Sequence, residues 1–414
     1  MKKISKLSYL LLLLGFSAQS ICAQEYADYM NAVEKQNATY LAERYNVSIA
    51  EAQTAAARVF NDPTLSVEYG NNQDWSLQMG QTVDVGLSYL FNLGNVRRAR
   101  INVARSEEEI TRAVLDDWFR NLKADATIAW VHAQEARALK EIKRSSYESM
   151  IKVADNDSIR ASLGDGSLID ARQSRVESKA LYAEYLAADA EYANALQTLS
   201  LYAGGLAFQD VPEEDILLAL PSSSAQDMVE LALENRADLR SAELSRTLSE
   251  RNLALVKASR APEFELSLGY SYNKEVRNEI APAPTFHGLS IGVSIPLKFS
   301  RLNKGERLAA ERTAQQAEAA YEAAKQQIVS EVQQALVSWR SATKVAQECS
   351  ATMLEDATSI LENRRIAYLQ GDSSLLDYLM AVRVYNDTAE QCIAAKAGLV
   401  TATAELLRDR KSVV

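Results

Sequence analysis

Proline and glycine are scarce, 7 and 15 residues in a chain of 414. So few backbone breakers imply long elements joined by few reversals. Histidine occurs twice and cysteine three times, which leaves little material for a metal centre or for imidazole acid–base chemistry. There is no long basic block, and acidic residues outnumber basic ones, 55 against 45. Nucleic acid is therefore not expected as a partner. Neither H-E-x-x-H nor a P-loop is present, so the chain is read as a non-enzyme with no cofactor and no metal site. Beyond the first 16 residues, no run approaches the roughly 18 to 20 consecutive apolar residues of a membrane-spanning helix.

What is present opens with Lys2, Lys3 and Lys6, then LSYLLLLLGF, then the small residues of SICAQE. This is the layout of a secretory signal peptide, with cleavage expected after Ala23. Cys22 invites a lipoprotein reading. Ile21 stands where a small residue is wanted and Gln19 where leucine is usual, so simple removal is the expectation.

The chain also repeats itself. LGDGSLID at 163–170 returns as QGDSSLLD at 370–377, an offset of 207. DPTLSVEYG around Pro63 matches APEFELSLG around Pro262, and VGLSYLF at 85–91 parallels IGVSIPL at 291–297. Matches in one order at nearly one offset argue for tandem duplication, each half reading as helix, two strands, long helix, tight turn, long helix.

The strand segments alternate with period two. Phe264, Leu266, Leu268, Tyr270 and Tyr272 oppose Glu265, Ser267, Gly269 and Ser271, and Leu289 to Leu297 repeats this against Ser290, Gly292, Ser294 and Pro296. In the first half Leu65, Val67 and Tyr69 oppose Ser66 and Glu68, while Val83, Val85, Leu87, Tyr89 and Phe91 oppose Asp84, Gly86 and Ser88. Tyr69, Trp75, Tyr270, Tyr272 and Phe286 are candidate interfacial aromatics.

The helical segments run without Pro or Gly from about Val96 to Ser162 and from about Glu306 to Gln370. An unbroken helix of the first length measures on the order of 100 Å. Stripes recur at threes and fours: Ile110, Val114, Trp118, Leu122, Ala126 and Ala129, then Tyr321, Ala324, Ile328, Val332, Ala335 and Trp339. Coiled-coil packing accounts for them. Gly164 and Gly371 suit the left-handed residue that closes a helix, and Ser167-x-x-Asp170 and Ser374-x-x-Asp377 read as capping boxes. Each octapeptide is thus the reversal of an antiparallel helical hairpin.

Four amphipathic strands cannot close a barrel, and an open sheet edge in lipid leaves backbone groups unpaired. Closure must come from other copies. A dimer would give eight strands with a filled interior, whereas a trimer gives twelve strands around a wet lumen lined by Ser, Gly and Glu. The small polar face favours the trimer; a soluble sandwich is the alternative. Basic residues follow the second strand of each half: Arg97, Arg98 and Arg100, then Lys298, Arg301, Lys304 and Arg307. Cations near a helix start oppose its dipole, so anionic headgroups or plain solvation must offset them.

The chain resembles the outer-membrane efflux proteins typified by TolC. The resemblance covers nearly all of it after the leader. It rests on the duplicated order, on NDPTLSVEYG and RAPEFELSLGY entering the strands, and on LFNLGNVRRARINVAR and IPLKFSRLNKGERLAAE leaving them. ENRADLRSAE before the second repeat and YLQGDSSLLDYLMAVRVY at the second tip complete it. The resemblance implies a mainly α fold with a small membrane β-barrel: a homotrimer whose long hairpins form an α-barrel. It also implies a passive conduit in outer-membrane lipid, driven by an inner-membrane pump through a periplasmic adaptor.

On that reading the chain divides into a leader at 1–23, equatorial helices at 24–61 and a β-hairpin at 62–95. A helical hairpin at 96–201, an equatorial linker at 202–261, a β-hairpin at 262–299 and a helical hairpin at 300–410 follow. The tips then form the adaptor contact, through Gly164, Ser167, Leu168, Gly371, Ser374 and Leu375, and the closed gate. Asp165, Asp170, Asp372 and Asp377 are the gate candidates, since gathered carboxylates make a cation-favouring constriction. The caps account equally well for Asp170 and Asp377.

SIPLKFSRLNKGE also looks like the heavy-metal branch of the family, without His, Cys or Met clusters to bind a metal. His132 and His287 are read as core or solvent residues. Cys349 and Cys392 fall at one level of the second hairpin, and export would permit a disulfide between them. The competing function is a structural or adaptor-type periplasmic coiled coil, which predicts solubility without detergent. Cargo and pump class are not encoded here.

Overall fold

A computed structural model describes residues 26–71, 80–212, 225–297, 304–349 and 351–410. Residues 1–25, which hold the expected leader and Cys22, lie outside the described residues, as do Trp75, Lys298 and Arg301. Helices α1 (Tyr26–Gln36) and α2 (Ala38–Ala57) lead into strands β1 (Thr64–Asn71) and β2 (Gln81–Asn92). Helices α3 (Val96–Leu163) and α4 (Leu168–Tyr202) form the first hairpin, followed by α5 (Ala225–Asn235) and α6 (Ala237–Ala258). The second repeat has β3 (Glu263–Asn273), β4 (Phe286–Ser294), α7 (Lys304–Glu348), α8 (Ala351–Gln370) and α9 (Leu375–Arg410).

Two expectations need correction. The second long helix is interrupted: α7 ends at Glu348 and α8 begins at Ala351. No Gly or Pro marks the place, but the local run Cys349-Ser350-Ala351-Thr352 is rich in weak helix formers. The fourth strand stops at Ser294, ahead of Pro296, which has no N–H to give to a ladder.

The described residues group into two compact units. One comprises the described parts of Met1–Glu43, Asp116–Arg236 and Gln327–Val414. Its core packs Tyr29 and Val33 of α1 on Trp130 and Ala126 of α3, with Leu199 of α4 and Phe208. Tyr29 and Trp130 pack with their rings tilted and centroids 5.0 Å apart, and both are almost fully buried. Burying such side chains contributes about 2–3 kcal/mol each. Asn37 ends this first turn of the chain: its side chain donates to Tyr202 O at 3.0 Å and accepts from Tyr40 N at 2.9 Å, capping α2. The Arg236 guanidinium, 4% exposed, pairs with Glu331 at 2.7 Å, so its buried charge is matched.

The other unit comprises the described parts of Arg44–Leu115 and Ala237–Gln326. Thr54 donates to Ala104 O at 3.2 Å, joining α2 to α3. Arg251 donates to Ser106 Oγ at 2.6 Å and Asn102 O at 3.1 Å, joining α6 to α3. The helical stripes hold in part. Ile328 and Val332 are buried, and so is Leu122, whereas Val114 is 47% exposed because Ala113 takes the inward position beside it.

Candidate functional site

The first candidate is the sheet. Its order is β1-β2-β3-β4, antiparallel throughout. The alternation read from the sequence becomes rows across all four strands. One row is Leu65, Leu87, Leu268 and Ile291, and the next is Val67, Val85, Tyr270 and Leu289. On the opposite face the rows are Ser66, Gly86, Gly269 and Ser290, then Glu68, Asp84, Ser271 and Gly288. A Cβ on Gly269 would lie 2.5 Å from Ser290 Oγ, so small residues on this face leave room for their neighbours' hydroxyls.

The apolar face is uncovered: Leu289 is 82% exposed, Ile291 78%, Leu65 and Val67 67% each. So large an apolar patch on a folded chain marks a surface made for lipid or another protein. Aromatic rings bound it at both ends. Tyr69 and Tyr272 share one row with His287, whose Nδ1 lies 2.6 Å from Tyr270 Oη. At the other end Phe91 stacks on Phe264 at 4.9 Å, beside Tyr89. This second belt went unrecognised in the sequence, though the pairing of Phe91 with Phe264 follows from the alternation itself. From Tyr272 to Phe264 the strand rises about 26 Å, and strand tilt brings the belts to about 20 Å, near the ~25 Å apolar band of membrane barrels.

Gly288-Leu289-Ser290-Ile291-Gly292 has the letters G-x-S-x-G of a hydrolase nucleophile elbow. That motif needs a sharp strand-to-helix turn. Here the five residues lie along β4 in regular register with β3, Ser290 opposite Gly269. The match is one of letters only.

At the helix starts after the sheet, Arg97 donates to Arg58 O, 3.0 Å from Nε, and its guanidinium lies over the Phe60 ring at 3.9 Å. A carbonyl just past the C-terminus of α2 therefore supplies the compensation that Arg97 needs. Arg98, Arg100 and Lys304 are exposed.

The second candidate is the pair of tips. Gly164 and Gly371 have φ of 79° and 86°. Asp165 N bonds to Arg160 O at 3.0 Å and Asp372 N to Ala367 O at 2.9 Å, which are Schellman closures, as the glycines imply. The caps differ. Ser167 Oγ accepts from Ile169 N and Asp170 N. In the second tip the box is reciprocal: Ser374 Oγ accepts from Asp377 N at 3.2 Å and donates to Asp377 Oδ2 at 2.8 Å. The Ser374 hydroxyl, then its N–H, hold the Asp377 carboxyl below the usual carboxylate range.

Both tips face one cleft of about 390 Å3, lined by Asp157, Arg160, Asp165, Asp170, Tyr368 and Gly371 among others. Asp372 and Asp377 are not among its lining residues. Asp165 is exposed and within 3.8 Å of Arg160. Beneath the tips, Met150, Val153, Leu181, Tyr368, Leu375, Tyr378 and Val382 form a core joining α3, α4, α8 and α9. Leu375 is consequently 4% exposed and withdrawn from the tip surface where the sequence placed it, while Leu168 and Leu376 are 66% and 61% exposed.

Two polar links in these helices left no mark in the sequence. Tyr368 Oη donates to the buried Asp157 at 2.8 Å. Lys143 reaches Glu184 at 3.0 Å and also pairs with Glu390, tying α3 to α4 and α9. Cys349 and Cys392 are free thiols on the wall of a common cavity. Among the described residues no cluster of three His, Cys, Asp or Glu could hold a metal ion, and no helix is long and apolar enough to cross a membrane.

Comparison with known proteins shows what these features resemble. Residues 228–408 match the family described as outer membrane efflux protein. The cobalt-zinc-cadmium resistance protein CzcC of Cupriavidus metallidurans is 27% identical over 330 residues, 79% of this chain and 75% of its own. The Campylobacter jejuni CmeC outer membrane channel shares the fold at TM-score 0.77 and 13% identity, over 93% of this chain and 85% of that one. The open-state Neisseria gonorrhoeae MtrE outer membrane channel does so at TM-score 0.74 and 17% identity, over 92% and 88%. The second half of the chain is thus similar to the outer membrane efflux proteins, and its fold is shared with these channels along nearly its whole length.

Proposed function

We propose that the chain is the outer-membrane conduit of a tripartite efflux system. Three copies close a twelve-stranded barrel in lipid, and the long helices extend into the periplasm toward an adaptor and an inner-membrane pump. The observation that carries this reading is the sheet: an uncovered apolar face, a small polar face, and outer strands β1 and β4 that each pair on one side only among the described residues. In lipid such edges must be satisfied by another copy. The apolar rows then meet acyl chains, and Ser66, Gly86, Gly269 and Ser290 line water with Glu68 and Asp84. Exposed Arg98, Arg100 and Lys304 reach anionic headgroups at the periplasmic face.

The conduit makes and breaks no bonds; the pump supplies the driving force. The name of CzcC points to heavy-metal cations as cargo. A pore passes such ions without ligating them, and acidic groups on its wall favour cations. The tips, with their four aspartates, form the adaptor contact and the gate. The test is extraction and electrophoresis of the full chain. We expect recovery from the outer membrane only with detergent, as an SDS-resistant trimer that falls to monomer on boiling. A stable monomer in detergent-free buffer would overturn the proposal in favour of a soluble coiled-coil protein.

A further inference from the structure

A pair of thiols stands where the second hairpin is broken. Cys349 follows the last residue of α7, outside both α7 and α8, and Cys392 lies on α9. They are 22 residues before and 21 after Gly371, so the antiparallel hairpin brings them level. Both line one cavity of about 690 Å3, whose wall includes Ala346, Ala389, Ile393 and Lys396. Cys392 is buried and Cys349 is half-buried, and the Cys349 side chain is near enough to help raise the Cys392 thiol.

Two intact packed helices stand about 8–10 Å apart, which keeps most cysteine pairs wider than the ~4.4–6.8 Å Cα span of a disulfide. Here Cys349 stands just past the last residue of α7, its N–H bonded to Val345 O at 3.0 Å, and a helix end frays more readily than its interior, which lets this sulfur close the gap. We propose that Cys349 and Cys392 form a disulfide in the exported protein, closing the α8–tip–α9 segment into a covalent loop that clamps the α7–α8 break against α9. The inference rests on the outer-membrane reading, which puts these helices in an oxidising compartment.

The electron acceptor is a disulfide-bearing thiol oxidant of that compartment. Cys349, the more accessible sulfur, attacks the oxidant as thiolate, displaces one of its thiols and forms a mixed disulfide. Cys392 then attacks the Cys349 sulfur and releases the second thiol. The pair loses two protons and two electrons, and one oxidant disulfide becomes two thiols. Burial, then the neighbouring Cys349 side chain, pushes the Cys392 thiol up, so Cys349 is the sulfur that attacks first.

The experiment traps the full-length protein with a maleimide reagent at cell lysis, then denatures it and maps the label by mass spectrometry. We expect neither thiol to be labelled until reductant is added, and a linked pair of peptides two hydrogens lighter than the sum of the free ones. Labelling of both without reductant, or protection lifted by a chelator instead of a reductant, overturns the bridge. Diamide oxidation of the purified protein removes the dependence on compartment: no link there means the geometry is wrong, whatever the cellular location. Deuterium exchange then reads the clamp. Amides of α8 should exchange several-fold faster after reduction, and equal rates would overturn the clamping claim.

Discussion

Tyr368 and Asp157 hold the two tips together from inside. Asp157 is 5% exposed and accepts the Tyr368 hydroxyl across a separation of 211 residues. Burial, then the hydrogen bond to Asp157 and its charge, raise the Tyr368 phenol, so it stays a protonated donor well above neutral pH. Removing the donor leaves a buried carboxylate without its partner, at a cost of about 1–3 kcal/mol. Tyr368→Phe should therefore loosen the tip, read as faster amide exchange in α8 and larger basal conductance of single channels. Adding Asp157→Asn should recover part of the loss, because a neutral amide is cheaper to strand than a carboxylate. Equal effects of the single and double variants would mean that the pair merely fills space. This pair was not legible in the sequence: aspartate and tyrosine are ordinary letters in an acidic helical chain, and only the packing of α3 on α8 brings them together. The turn glycines and capping serines were legible, since their bonds close within five residues and depend on little beyond local backbone geometry.

Elements divide the same way. The four strands and the facing of their residues could be read from a period of two, which states both conformation and side, although the end of β4 at Ser294 could not. The pairing then turned isolated aromatics into two belts, which needed the register of β2 on β3. The α7–α8 break was hidden because its cause is weak local propensity, a signal that tertiary packing overrides as often as not. Facing makes a paired prediction. Ile291, 78% exposed, lies in the middle row of the apolar face, and its neighbour Ser290 points the other way. Arginine at the lipid midplane of a barrel costs about 2–4 kcal/mol. Ile291→Arg should sharply reduce the trimer recovered from the outer membrane. Ser290→Arg should insert normally but lower the conductance and the preference for cations. The reverse pattern, measured by membrane fractionation and planar-bilayer recording, would invert the assignment of the faces.

For the whole molecule the decisive feature is parity. With four strands alternating in direction, β4 of one copy would run antiparallel to β1 of the next in the proposed assembly. Identical copies can therefore continue the ladder without a parallel pair, and rotation about one axis closes it. Closure number follows from the interior: eight strands leave a space that side chains fill, and rows rich in Ser and Gly would not fill it. Twelve strands give those rows water to face. The prediction is made in a chain with Cys349→Ser and Cys392→Ser, carrying one new cysteine at 65, 67 or 69 in β1 and one at 289, 291 or 293 in β4. Oxidation in membranes should link copies head to tail for one register of the pair, giving dimers and a closed trimer and nothing larger. Bands that stop at two would support a filled eight-stranded barrel. A ladder beyond three would mean an open sheet, in which every chain end still exposes an unpaired edge to lipid and the physical reason for assembly is lost.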